Sequence, residues 1–174
     1  MAHINQLGYS VQIAPKPAPE TRVSLSISPI PLENTGFTVP VSVSTPSTIR
    51  ETNPAAVVRT ETVMALFDTG ASKTSIDIRL AELLGLSPVG ISTSHTAAGP
   101  SESYDYAVDI SFPGSNLLPF INLPIGSCKL PFQIGENGEI AINKTNFGLL
   151  IGRDIMSRWN IVWNGPTSTV FISD

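Results

Sequence analysis

Asp68, Thr69 and Gly70 are the residues best placed to do chemistry in this chain, because they follow the apolar run Val63-Met64-Ala65-Leu66-Phe67 and form a triplet that occurs once. A strand ending there delivers its carboxylate on a tight turn, and a glycine, lacking Cβ, permits both the turn and the approach of another backbone. A carboxylate takes a proton from water and, once protonated, gives one to a carbonyl. A single carboxyl cannot hold both roles at once. A second segment, Phe147-Gly148-Leu149-Leu150-Ile151-Gly152-Arg153-Asp154, reads as a buried strand, a glycine turn and a short helix carrying Ile155, Met156 and Trp159. Other chemistries are poorly supplied. Cys128 is the lone cysteine, and His3 and His95 are the only histidines that could serve it as a base, so it reads as a small buried hydrophobe. The same scarcity leaves no metal-ligand cluster of recognisable spacing. Lys73-Thr74 after a glycine suggests a phosphate loop, but the required glycines would fall at Phe67 and Ser72.

Taken together, Leu66-Phe67-Asp68-Thr69-Gly70-Ala71-Ser72 and Leu150-Ile151-Gly152-Arg153-Asp154 resemble, in order and separation, the two signature segments of the retroviral-type aspartic proteases, the retropepsins. The resemblance runs, with gaps, from about Gly36 to the C-terminus. It implies an aspartic endopeptidase built as a homodimer, since 174 residues are too few for a two-lobed enzyme carrying one such triplet per lobe. Asp68 would be catalytic and would pair with its symmetry mate. Two carboxyls about 3 Å apart share one proton, so activity is expected to be bell-shaped in pH and greatest on the acid side of neutrality. Thr69 would hydrogen-bond across the two-fold axis, while Gly70, Ala71 and Ser72 would bind the substrate backbone as an added strand. The flap, a hairpin over the bound peptide, would have Ala97, Ala98 and Gly99 at its tip, less glycine-rich than is usual. Leu150 would line an apolar side-chain pocket favouring hydrophobic residues near the cleaved bond, and Gly152, Arg153 and Asp154 would be structural. Ser72 stands where many retroviral enzymes have an acidic partner for the arginine, so Arg153 is left to hydroxyl contacts, or to Asp154, Asp77 or a partner-chain carboxylate. No cofactor or metal is implied. The alternative is a retropepsin-like dimer that binds peptides or assembles without turning them over.

Those segments need a framework, and the composition allows one. With 41% hydrophobic and 14% charged residues the chain is globular over most of its length. A net charge of -4 without a Lys/Arg run argues against nucleic acid as a partner. No apolar stretch approaches a membrane span, and the first residues lack the basic-then-apolar pattern of a signal. With a lone cysteine, the expected setting is a soluble protein in a reducing cytoplasm.

Residues 1–35 read as a proline-rich arm, with Pro15, Pro17 and Pro19 favouring extended chain, and residues 36–174 as the protease-like domain. Val23, Leu25 and Ile27, and then Phe37, Val39, Val41 and Val43, alternate with polar residues as half-buried strands do, Pro40 confining the second run to an edge or to a position whose amide is not needed. Residues 55–67 supply a hairpin partner and the strand that delivers Asp68. The spacing of Ile76, Leu80, Leu83 and Leu84 predicts a helix over 75–86, capped by Thr74 or Ser75 and closed by Gly85. Residues 92–100 read as a hairpin tip leading into the alternation Tyr104, Tyr106, Val108 and Ile110. Residues 113–146 contain four prolines and the turn Gly135-Glu136-Asn137-Gly138 and give no secure strand pattern. A closing hairpin follows, 160–163 with 169–172, a candidate for interleaving at a dimer interface. The fold class is all-β: a retropepsin-like acid-protease barrel with one or two short helices.

Overall fold

The computed structural model describes residues 5–6, 9–10, 25–27, 36–96, 99–143, 145–167 and 169–174. Twelve strands occur among them: β1 Asn5–Gln6, β2 Tyr9–Ser10, β3 Leu25–Ile27, β4 Phe37–Ser44, β5 Thr60–Phe67, β6 Ser75–Asp77, β7 Pro88–Thr96, β8 Gly99–Ser111, β9 Phe120–Cys128, β10 Phe147–Ile151, β11 Asn160–Asn164 and β12 Thr169–Ser173. The main sheet runs β4-β5-β10-β6-β9-β8-β7, and an added pairing of β4 with β8 closes all but β7 into a barrel. The short helices are α1 Ile49–Thr52, α2 Ile78–Leu83 and α3 Arg153–Met156. The chain is therefore all-β, with three short helices among the described residues where one or two were expected.

The strand periodicity explains the barrel interior. Phe37, Val39, Val41 and Val43 of β4 are all buried, as are Val63, Ala65 and Phe67 of β5, and they meet Ile110, Ile125, Leu149 and Ile151 in one core. Each fully buried Val, Leu, Ile or Phe side chain among them stabilises the fold by about 1.5–3 kcal/mol relative to exposure. Pro40 is exposed and pairs with Met64 on β5, on a stretch of β4 that β8 does not reach, since β8 pairs only with Ser42, Val43 and Ser44. The missing amide is thus tolerated, as the sequence implied.

The helix expected over 75–86 is shorter. Residues 75–77 form β6, which pairs antiparallel with β10 through Leu149↔Ile76 and parallel with β9 through Ile76↔Ser127. Ile76 is a fully buried strand residue, so pairing on both edges overrides its helical spacing. The cap is Asp77, whose side chain accepts from the Arg79 amide, and not Thr74 or Ser75. Gly85 does close the helix, at φ +67 in the left-handed region.

β9 runs through the segment whose strands the sequence left unassigned, and the turn expected at 135–138 forms, with the Gly138 amide donating to the Gly135 carbonyl at 2.9 Å. The closing hairpin also forms, β11 pairing with β12 across the 3-10 turn Gly165–Thr167. β12 pairs in addition with β3, which carries Leu25 and Ile27 of the early alternation. Val23, Pro15, Pro17 and Pro19 lie outside the described residues. Among the described residues, no helix is long and apolar enough to cross a membrane.

Candidate active site

β5 and β10 lie parallel with Leu150 opposite Leu66 and Ile151 opposite Phe67, so the two strands end level. Beyond those ends stand the two sequence motifs. The Asp68 amide continues the ladder by donating to the Ile151 carbonyl at 3.0 Å. From Asp68 the chain crosses the end of β10 and returns on its far side as β6, so residues 68–74 form a loop draped over Gly152. The drape is tight: a Cβ on Gly152 would lie 2.5 Å from the Lys73 carbonyl carbon and 2.8 Å from the Thr74 nitrogen. Only glycine fits there.

Hydrogen bonds from the second motif lock the loop. The Thr74 hydroxyl accepts from the Gly152 amide at 3.0 Å and donates to Asp154 at 2.8 Å, and the Thr74 amide donates to the same carboxylate at 3.0 Å. The Arg153 amide donates to the Ala71 carbonyl at 3.0 Å. Its guanidinium donates from Nη1 to the Thr69 carbonyl at 2.7 Å and the Gly70 carbonyl at 3.1 Å. This answers the question raised by Ser72: two backbone carbonyls of the Asp68 turn serve Arg153, Asp154 is committed to Thr74, and Asp77 is committed to Arg79. Ser72 is exposed.

Asp68 is half-buried at the tip of the turn, with Thr69 and Gly70 exposed beside it. The Gly70 amide donates to Asp68 Oδ1 at 2.8 Å and the Ala71 amide to the Asp68 carbonyl at 3.1 Å, which fixes the carboxyl's orientation while leaving its other oxygen available. Flanking Thr69 and Arg153 is an apolar pocket of about 330 Å³ whose walls include Phe37, Phe67, Met156 and Trp163. It continues an aromatic chain: Trp163 meets Phe37 at 6.0 Å, Phe37 meets Phe67 at 4.3 Å, and Phe67 meets Trp159 at 6.1 Å. Leu150 is half-buried in β10 and is not among the residues of this pocket.

The hairpin of β7 and β8 rises beside the same loop. Lys73 Nζ lies 2.6 Å from Asp105 Oδ1 on β8, and the Ser92 hydroxyl of β7 donates to the same oxygen at 3.0 Å. The Lys73 ammonium, helped by Ser92, holds the Asp105 carboxyl below the usual carboxylate range. Gly99 opens β8 at φ +113, whereas Ala97 and Ala98 of the expected flap tip lie outside the described residues. Neither Lys73 nor Asp105 stands in a motif that marks it in the sequence, because a contact between residues 73 and 105 leaves no local pattern.

Elsewhere the ionisable groups serve structure. Burial alone would raise the Asp77 carboxyl, but the Arg79 side chain and the Leu130 and Arg79 amides outweigh it and hold it below its ordinary range. Burial pushes the Cys128 thiol up to about 11, which keeps it protonated and poorly nucleophilic. Among the described residues, no group of three or more His, Cys, Asp or Glu could hold a metal ion.

Residues 53–119 match the family described as aspartyl protease, a span containing Asp68-Thr69-Gly70 and ending before Gly152-Arg153-Asp154. Over that span the chain is similar to the retropepsin-like aspartyl proteases. Among solved structures it is similar to the retroviral protease-like domain of Ddi1 from Leishmania major, at 15% identity and a TM-score of 0.34, over 79% of this chain and 92% of that one. The barrel assignment rests on the strand pairing given above. No curated protein matches the chain.

Proposed function

We propose that this protein is an aspartic endopeptidase that works as a homodimer, with Asp68 of each subunit contributing one carboxyl to a shared site. The observation carrying this reading is the state of the Asp68 turn: a half-buried carboxyl oriented by the Gly70 amide, on a loop held by Arg153 and Asp154, with Thr69 exposed beside it. One such carboxyl is half of an acid-base pair, and the exposed Thr69 is the residue a second turn would meet. Brought about 3 Å apart, two carboxyls share a proton: the ionised one accepts a proton from water as its oxygen attacks the peptide carbon, and the protonated one gives its proton to the carbonyl oxygen. The tetrahedral adduct then collapses as the amine leaves with a proton.

In this mechanism an extended peptide lies as an added strand between residues 70–72 and the β7–β8 hairpin, with Ala97, Ala98 and Gly99 over it. Apolar side chains near the cleaved bond are favoured, Leu150 contributing a wall. Terminal hairpins β11–β12 from two subunits meet below the paired turns, where Val162 and Trp163 are exposed. A reducing, cytoplasmic setting suits a chain with one cysteine.

The test is incubation of concentrated protein with a mixed peptide library at pH 4 to 7, beside Asp68→Asn, with sedimentation of both. Cleavage by the wild type alone, from a dimer, is the expected result. A strict monomer at high concentration, or cleavage that survives Asp68→Asn, overturns the proposal. Peptide binding without cleavage by either protein points instead to a binding module.

A further inference from the structure

The ladder between β8 and β9 ends at Asp105↔Gly126, and beyond it one bond from the Tyr104 amide to the Ser127 hydroxyl, at 3.1 Å, still ties β8 to the barrel. Past that point the strand pairing of residues 99–103 is, among the described residues, with β7 alone. A two-stranded ribbon is marginally stable by itself, so its direction is decided where it leaves the barrel. Asp105 occupies that point. Its carboxylate takes the Lys73 ammonium from the Asp68 loop and the Ser92 hydroxyl from the opposite strand, so one side chain joins both strands of the ribbon to that loop. The geometry is unobstructed: Gly90 stands opposite Asp105 and presents no side chain, and the Lys73 stem passes over Gly126, close enough that a Cβ there would touch its Cδ at 3.8 Å. The hydroxyls of Ser92 and Ser103, 3.3 Å apart, extend the polar seam one step along the ribbon.

We propose that Lys73 and Asp105 form a hinge clamp, a pair of positioning residues that sets the β7–β8 ribbon against the Asp68 loop and thereby the width of the peptide channel between them. The clamp rests on the protease reading only for its consequence in catalysis; the mechanical claim stands apart from it. The side chains are 41% and 19% exposed, so screening limits the pair to a modest effect.

Amide hydrogen exchange on the Asp68→Asn protein, which has no turnover to complicate the reading, tests the clamp directly. Lys73→Met is expected to speed exchange of residues 91–96 and 99–104 by about 2- to 5-fold while the amides of β4 and β5 keep their wild-type rates. Lys73→Arg, which keeps the charge, and the exchanged pair Lys73→Asp with Asp105→Lys are expected to restore slow exchange. In the otherwise native protein, Lys73→Met should lower kcat/KM by a similar factor, chiefly through KM. Ribbon amides that exchange at the wild-type rate in Lys73→Met, or an exchanged pair no slower than Lys73→Met, overturn the clamp. Should Lys73→Met fail to fold, Asp105→Asn, which keeps the side-chain shape, carries the same expectation and the same refutation. If no peptide is cleaved by the wild type yet the ribbon responds as stated, the clamp stands and the protease reading falls.

Discussion

Replacing Gly152 by alanine probes the part of the site on which the rest depends. The added Cβ would sit 2.5 Å from the Lys73 carbonyl carbon, 2.7 Å from its oxygen and 2.8 Å from the Thr74 nitrogen. Carbon atoms rest at about 3.5–4.0 Å, so the loop must retreat by roughly 1 Å, and the obstructing atoms are backbone that has no rotamer to change. That backbone is also held by the Thr74 amide to Asp154 and the Arg153 amide to Ala71, bonds that a retreat of this size breaks or lengthens. Overpacking of this kind costs about 1–3 kcal/mol, and each lost hydrogen bond adds about 1 kcal/mol. A total of roughly 3–5 kcal/mol lowers the melting temperature of a domain this size by about 6–20 °C. Thermal melting followed by circular dichroism reads it directly. The control is Gly165→Ala, where a Cβ meets nothing within 4 Å and φ is not positive, expected within about 0.5 kcal/mol of wild type. If Gly152→Ala melts with the control, the tight crossing of the loop over β10 is wrong, and with it the argument that Gly152 exists to seat the Asp68 turn.

Thr74→Val removes the hydroxyl that both receives the Gly152 amide and bonds Asp154, leaving a buried donor unpaired; urea denaturation should show a loss of about 1–3 kcal/mol that Thr74→Ser largely restores, and equal midpoints for the two variants would sink this reading. Acid stability follows from Asp77 and Asp105. Their folded carboxyls sit below the ordinary carboxylate range, so their stabilisation is complete above the unfolded value near pH 4 and is lost as pH falls through the folded values. Urea midpoints measured between pH 5 and pH 2 should fall more steeply for the wild type than for Arg79→Met, which lacks the guanidinium partner of Asp77; parallel lines would count against the assignment.

What the sequence made legible was whatever repeats or punctuates locally. The alternation of Phe37, Val39, Val41 and Val43, the glycine closing α2, the turn at 135–138 and the final hairpin are each decided by neighbours within a few residues, and each formed as read. Residues 75–77 defeated the same logic. Ile76 has helical spacing to Leu80, but strands β10 and β9 flank it from positions fifty or more residues away, and a central strand is buried whatever its local preference. β9 was hidden for a related reason: Asn122 and Pro124 interrupt its pattern, and its pairing partners β8 and β6 are what make it a strand.

The candidate site divides along the same line, and the division explains why Arg153 was the residue hardest to place. Its position in the motif pointed to a role beside Asp68, yet its expected partner was a side chain, because side chains are what a sequence displays. The Thr69 and Gly70 carbonyls that receive it are present in every sequence and become acceptors only once β10 lies parallel to β5 with its end level with theirs. A guanidinium aimed at two carbonyls of a turn does the mechanical work of a carboxylate lock at a lower electrostatic strength, since a neutral acceptor attracts it less than an anion does. The turn therefore depends more heavily on Thr74, Asp154 and the close contact at Gly152 than the motif alone suggests.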